Sequence, residues 1–281
     1  MPNEITVAAI QITADDRDKQ GTVEKVMRLI DQAGDRGAEL TVLPEVWTGL
    51  GASTDDAYRE IAEPVPGPTT ERLQEKAKKY GMTIVGSLYE RRGNRYFNSA
   101  PVIGPEGIIG RYDKTHLFDA PDRPDIPPGY KESKKVDAGT ELPVFLTPVG
   151  QVGVSVCSDL RFPEVYRELA LKGAKVIVCA SAFLSPRFDH WEFFLRARAT
   201  ENQCWVVASG QVGKDPTSDY AFVGRSMVVD PWGVITATAP DTECCLTTTI
   251  DLDYIDVVKQ RYPLMDQRRP ELYQTIGRAK A

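Results

Sequence analysis

Only two histidines, His116 and His190, occur in 281 residues. Chemistry that leans on imidazole, as general base or as metal ligand, therefore has few places to sit. The five cysteines, at positions 157, 179, 204, 244 and 245, form no CxxC pair or other metal-ligand spacing, and no metal site is expected. Long apolar runs are also missing: VIVCASAF falls far short of the roughly 20 residues that a membrane helix needs. The opening MPNEITVAAIQI carries an acid and passes directly into a strand pattern, so no signal peptide is expected. An odd cysteine count without such a peptide points to free thiols in a reducing, cytoplasmic setting. Excess positive charge is absent too. With 34 Lys and Arg against 40 Asp and Glu, the net charge is −6, which argues against nucleic acid or an anionic membrane as partner.

What is present is a regular alternation of elements. ITVAAIQI reads as a strand, and GTVEKVMRLIDQAGDRG as a helix with Val23, Val26, Met27 and Ile30 on one face. ELTVLPE is an apolar strand, TERLQEKAKKYG a helix closed by Gly81, and MTIVGSLYE a third strand. NSAPVIGPEGIIGRYDK contains a hairpin turn at Gly-Pro-Glu-Gly. The second half alternates again through GQVGVSV, a helix after Pro163, strand KVIVCAS, helix HWEFFLRARATENQ, strand CWVVASG, and strands around RSMVVDPWGVITATA and CLTTTIDLD. Cys179 and Cys204 are expected in core strands, and Cys244 and Cys245 at a strand start. Strands with helical crossovers imply buried sheets with helices outside. There are more apolar strands than one sheet comfortably holds, so the expectation is an α/β chain folded as a four-layer α-β-β-α sandwich, a single domain over 1–281. Asp119 to Glu141 is the one long polar loop, and loops of that length in compact domains are usually functional or disordered.

Three positions carry chemistry. Cys157 ends the alternating strand Val152, Val154, Val156 and precedes a helix that starts at Pro163, which presents its thiol at the carboxyl edge of a sheet, where open α/β sheets bind ligands. Taken alone it reads equally well as a small buried hydrophobe. Glu45 follows LTVLP at another carboxyl edge, as a reactive acid or an ion-paired structural one. Lys114 lies between IIGRYD and THLF, where an ordinary surface lysine is the plain alternative. Glu132, in GYKES of the long loop, carries no signal of its own. His116 in DKTHLFD could line a site, whereas His190 opens a helix, where capping or packing is the expected use.

Taken together, LPE, then DKTHLF, then CSDLRFPE resemble the Glu-Lys-Cys triad of the nitrilase, or carbon–nitrogen hydrolase, superfamily. The resemblance runs from AAIQI to QRRPELY and includes HWEFFLRARATENQCWVVA and GRSMVVDPWG. It implies the same four-layer fold, a cysteine nucleophile at Cys157, a general base and acid at Glu45, an oxyanion stabiliser at Lys114 and a further carboxylate at Glu132. No cofactor is implied. The segment after the nucleophile is most similar to the omega-amidase and deaminated-glutathione amidase branch, although Ser158 stands where tyrosine is common there.

The implied reaction converts a small carboxamide, the omega-amide of a keto or dicarboxylic acid, to acid and ammonia through a thioester. A distal carboxylate on the substrate needs a cation. Arg161 is one candidate, with a salt bridge to Glu164 or Glu168 as its alternative use; Arg187 and Lys131 are others, and Ser158 adjoins the nucleophile. Two alternatives stay open: an N-carbamoyl amine or amino-acid amidohydrolase, and a non-catalytic binding protein on the same fold. Leu160, where carbamoylases often carry a basic residue, leans against the first. The helix after Cys157 and the charge of Lys114 favour a thiolate while burial opposes it, and the sequence leaves that balance open. The family also implies a homodimer or higher homo-oligomer, with 255–281 a C-terminal extension that could take part in its contacts.

Overall fold

The computed structural model describes residues 3–54, 56–123 and 130–273. In chain order the elements are β1 (Glu4–Gln11), α1 (Lys19–Asp35), β2 (Leu40–Val42), α2 (Ala57–Ile61), α3 (Pro68–Tyr80), β3 (Thr83–Val85), β4 (Leu88–Arg92), β5 (Arg95–Gly104) and β6 (Gly107–Asp113). They continue with β7 (Val144–Thr147), β8 (Gly150–Val156), α4 (Pro163–Leu171), β9 (Val176–Ser181), α5 (Phe188–Asn202), β10 (Trp205–Gly210), β11 (Val212–Lys214) and β12 (Ala221–Val223). β13 (Met227–Val229), β14 (Ile235–Thr238), β15 (Cys244–Asp251) and α6 (Tyr254–Arg261) complete the chain.

One sheet runs β15-β1-β2-β3-β5-β4 with β6 on the flank of β5; the other runs β14-β13-β10-β9-β8-β7. β1, β2 and β3 are parallel, as are β8, β9 and β10. Side-chain alternation sorts most apolar residues of the two sheets into three cores. Val7, Ala9, Val42 and Val85 of the first sheet meet Val152, Val154, Val178 and Val207 of the second between the sheets. Ala8 and Ile10 face outward onto Val23, Val26, Met27 and Ile30 of α1. On the opposite side, Ile177, Cys179 and Val206 pack against Val165 and Leu169 of α4 and Trp191 and Leu195 of α5. This is the expected α-β-β-α sandwich. Cys179 and Cys204 are buried, and burial pushes each thiol up to about 12.

The expected strand MTIVGSLYE divides in two. β3 continues the parallel run beside β2, while β4 pairs with the hairpin strand β5 at the sheet edge and, through Glu90, bridges Glu63. The break falls at Gly86, where a Cβ would sit 2.4 Å from Cβ of Leu43, and at Ser87, whose hydroxyl accepts from the Val46 N–H at 3.0 Å. Helix α2 has no counterpart in the sequence reading. The two sheets share one functional edge: Ile12 and Gln211, just beyond β1 and β10, form a parallel bridge, so the carboxyl ends of the parallel strands of both sheets meet there. Among the described residues no helix is long and apolar enough to cross a membrane.

Candidate active site

Glu45 lies three residues past β2 and crosses to the other sheet. Its Oε2 accepts the backbone N–H of Ala182, just beyond β9, at 2.9 Å, and its main-chain carbonyl accepts Nε2 of Gln211 at 3.0 Å. Val46, the next residue, holds φ at 40°, an outlier for a β-branched side chain. Cys157 directly follows β8 and holds φ at 45°. Backbone strain of this kind is typically worth about 1–3 kcal/mol and gathers where a side chain must be held in a reactive position. A single 3₁₀ turn, Cys157–Arg161, separates the thiol from α4, with Pro163 in the first turn of that helix.

Lys114 follows β6 and is buried, 2 % exposed, which removes the surface-lysine alternative. Its backbone N–H donates to the carbonyl of Asn98 at 2.9 Å, and its own carbonyl accepts the Gly139 N–H at 2.9 Å. Gly139 is required there, because a Cβ would lie 2.2 Å from the carbonyl oxygen of Asp113. The Lys114 ammonium donates to Glu45 Oε1 at 2.8 Å and to Glu132 Oε2 at 2.7 Å. Burial alone would favour the neutral amine, but Glu132 and Glu45 outweigh it and hold the Lys114 pKa well above its ordinary value. Glu132, on a 3₁₀ turn of the long loop, also accepts the Phe118 N–H at 2.7 Å.

Burial pushes the Cys157 thiol far above its ordinary value; the Glu45 charge adds to this, while Lys114 opposes it. Desolvation and Glu45 thus win the balance that the sequence left open, and the resting group is a thiol rather than a thiolate. Neither histidine takes part. His116 stacks on Phe162, with centroids 3.8 Å apart, and its Nδ1 lies 2.9 Å from Asp159. His190 sits beside Arg161 and Phe194.

A pocket of about 720 Å³, mouth included, opens onto Glu45, Lys114, Glu132 and Cys157, with Ser158 and Arg161 in its wall. Arg161 does not pair with Glu164 or Glu168: among the described residues no carboxylate lies within salt-bridge distance of it, and its guanidinium lies over Phe183 at 4.9 Å. Burial, with the charges of Arg123 and Arg187 adding to it, pulls its pKa below the usual value. Arg187 and Lys131 are exposed and are not part of the pocket wall. Lys131 precedes the buried Glu132 in extended backbone, and successive side chains in such backbone point to opposite sides. Arg187 lies at the exposed start of α5, after the turn that leaves the wall at Leu184.

Four contributors were missed in the sequence. Asn98, on β5, donates from Nδ2 to Glu45 Oε1 at 2.9 Å and to Glu132 Oε1 at 3.1 Å. A polar residue inside the apolar strand YFNSAPVIG was the available signal. Asp159 is fully buried and accepts from the Tyr112 hydroxyl at 2.7 Å, the Val156 N–H at 2.9 Å, the His116 N–H at 3.0 Å and the Thr115 hydroxyl at 3.1 Å. It thereby ties the segment after Lys114 to the turn that carries Cys157. Arg123 and Lys135, both on the pocket wall, come from the long loop, and nothing but their charge marked them.

Residues 6–260 match the carbon–nitrogen hydrolase family. The chain belongs to that family. It is 36 % identical over 263 residues to an omega-amidase NIT2 from Danio rerio, covering 91 % of each chain. To a deaminated glutathione amidase from Mus musculus it is 32 % identical over 279 residues, covering 96 % of this chain and 85 % of the other. The crystal structure of the C. elegans NitFhit protein superposes with a TM-score of 0.87 at 32 % identity, over 96 % of this chain and 66 % of that longer one.

Proposed function

We propose that the protein hydrolyses a small anionic carboxamide to a carboxylic acid and ammonia through a thioester on Cys157. The observation that carries this reading is the buried set of Glu45, Lys114 and Glu132, joined by charge-assisted hydrogen bonds, in the same pocket as the thiol. A structural ion pair has no need of a neighbouring nucleophile in an open pocket.

In the proposed mechanism the protonated thiol meets the amide carbonyl, and Glu45 takes its proton as sulfur attacks. The oxyanion that forms is met by the Lys114 ammonium and the backbone N–H of Ser158. Such a donor typically contributes about 3–4 kcal/mol to transition-state stabilisation. Glu45 then protonates the departing nitrogen, because an amide anion is a very poor leaving group. Water enters, Glu45 takes its proton, and the thioester opens to the acid. Asn98 and Lys114 hold the two carboxylates in place, and Glu132 orients Lys114 and the incoming water. No metal or organic cofactor has a role in this scheme.

The far end of the substrate is read from Arg161, a half-buried cation in the wall without a carboxylate partner among the described residues. A charge so placed favours an anionic group on the substrate. The omega-amidase and deaminated glutathione amidase names of the relatives agree with an omega-amide of a keto or dicarboxylic acid. The described cysteines are all free thiols, which supports a reducing, cytoplasmic setting. The deciding assay measures ammonia and carbon dioxide from alpha-ketoglutaramate, glutaramate, deaminated glutathione and N-carbamoyl compounds. Ammonia alone from an omega-amide is expected; carbon dioxide released together with ammonia from an N-carbamoyl compound would replace this reading with a carbamoylase.

A further inference from the structure

The parallel register of β8 and β9 pairs Val154 with Val178 and Val156 with Ala180. One further step along both strands brings Ser181 beside Cys157. Adjacent strands lie about 4.8 Å apart, within reach of one side chain from each. Ser181 has the parity of Ile177 and Cys179, which face the core under α4 and α5, and Cys157 packs against that same core. On the other flank of Ser181 the register supplies Gly210, which brings no side chain of its own.

Ser181 is completely enclosed, and its hydroxyl has no hydrogen-bond partner of standard geometry among the described residues. The backbone around it is committed. The Ser181 carbonyl accepts the Gln211 N–H at 2.9 Å, and the next N–H, that of Ala182, holds Glu45 Oε2. A buried hydroxyl without an acceptor is unfavourable, and a negatively charged sulfur at its side would supply one.

We propose that Ser181 donates a hydrogen bond to the sulfur of Cys157 whenever that sulfur carries negative charge. Resting on the reading of Cys157 as nucleophile, this occurs twice in a turnover. In the first, the thiol proton passes to Glu45 and the sulfur electron pair forms the bond to the amide carbon. In the second, water oxygen bonds the acyl carbon and the electrons of the S–C bond return to sulfur, which leaves as thiolate. The Ser181 proton stays on its own oxygen throughout. Burial and Glu45 keep the resting thiol protonated, and Ser181 acts with Lys114 in the opposite direction.

The test needs no substrate. Alkylation of Cys157 by iodoacetamide, followed by peptide mass spectrometry across about pH 6 to 10, reports the thiolate fraction. Ser181→Ala removes one oxygen and enlarges the space around the sulfur, so crowding alone would speed alkylation. The expected result is the reverse: about ten- to a hundredfold slower alkylation at each pH below the thiol pKa, the worth of one hydrogen bond to a charged group. In the ammonia assay kcat falls by a similar factor and KM changes little. If the alanine variant does not fold, as judged by its thermal midpoint, Ser181→Gly, which removes the Cβ together with the hydroxyl, is read the same way. An alkylation profile that superimposes on that of the unaltered protein would overturn the proposal. Retained ammonia release by Cys157→Ala would instead remove the nucleophile assignment beneath it, so the two failures are distinguishable.

Discussion

Lys114 is held between two carboxylates in a place from which water is excluded, and this decides both its charge and its work. Its pKa stands well above the ordinary lysine value because Glu132 and Glu45 outweigh the penalty of burial, so it stays cationic across the range in which the protein functions. A permanent, immobile cation is suited to an oxyanion and unsuited to proton transfer, which in the proposed mechanism leaves the proton work to Glu45. Lys114→Ala is therefore expected to lower kcat by about 10²- to 10³-fold with a much smaller change in KM, as suits a group acting on the transition state. Steady-state kinetics of ammonia release checks this, and an unchanged kcat would make Lys114 a structural residue. The same substitution leaves two buried carboxylates without their cation, so a loss of about 3–5 kcal/mol in stability should accompany it in denaturant unfolding.

At the scale of elements, the site depends on turns that hold strand ends to one another. Asp159, on the turn after Cys157, accepts hydrogen bonds from the end of β6, from the two residues after Lys114 and from the last residue of β8. Asp159→Asn turns an amide N–H₂ toward groups that are themselves donors. It is expected to cost about 1–3 kcal/mol of stability and to lower kcat more than KM, since Lys114 and Cys157 lose their common anchor. Denaturant midpoints and steady-state kinetics measure the two effects. Full kcat in a destabilised protein would show that the segments keep their positions without it. This scale also marks where the sequence could and could not be read. Cys157 and Glu45 were visible because each follows an apolar strand, and the four layers of the sandwich followed from strand and helix periods. Lys114 and Glu132 were recognisable only through the family resemblance, since a lysine after a hairpin and a glutamate in a loop are ordinary. Asn98 offered only its polarity inside an apolar strand, and Asp159 and Ser181 were not legible, because what singles them out is contact with segments far away in the chain. The break of β3 from β4 at Gly86 depends on contact with Leu43, some forty residues away in the chain, and local pattern carries no trace of it.

The whole molecule brings together two sheets whose parallel strands end at one edge, so that Glu45 from the first and Cys157 from the second share a pocket. We propose that it assembles as a homodimer or higher homo-oligomer and that the C-terminal segment 255–281 contributes. Ile255 and Val258 of α6 are buried against the sandwich, whereas Tyr262, Leu272 and Tyr273 beyond it are exposed apolar groups; residues 274–281 lie outside the described part. Truncation after Tyr262 keeps α6 and removes Leu272 and Tyr273. Light scattering on the eluting protein should then show a smaller assembly, and an unchanged mass would exclude a role for this tail. The central claim remains the covalent one, and the most direct measurement is ammonia release by Cys157→Ala beside the unaltered protein, with circular dichroism to verify the fold. The account predicts release at background level from a folded variant on every amide that the unaltered protein hydrolyses. Hydrolysis at the unaltered rate by that variant would contradict it.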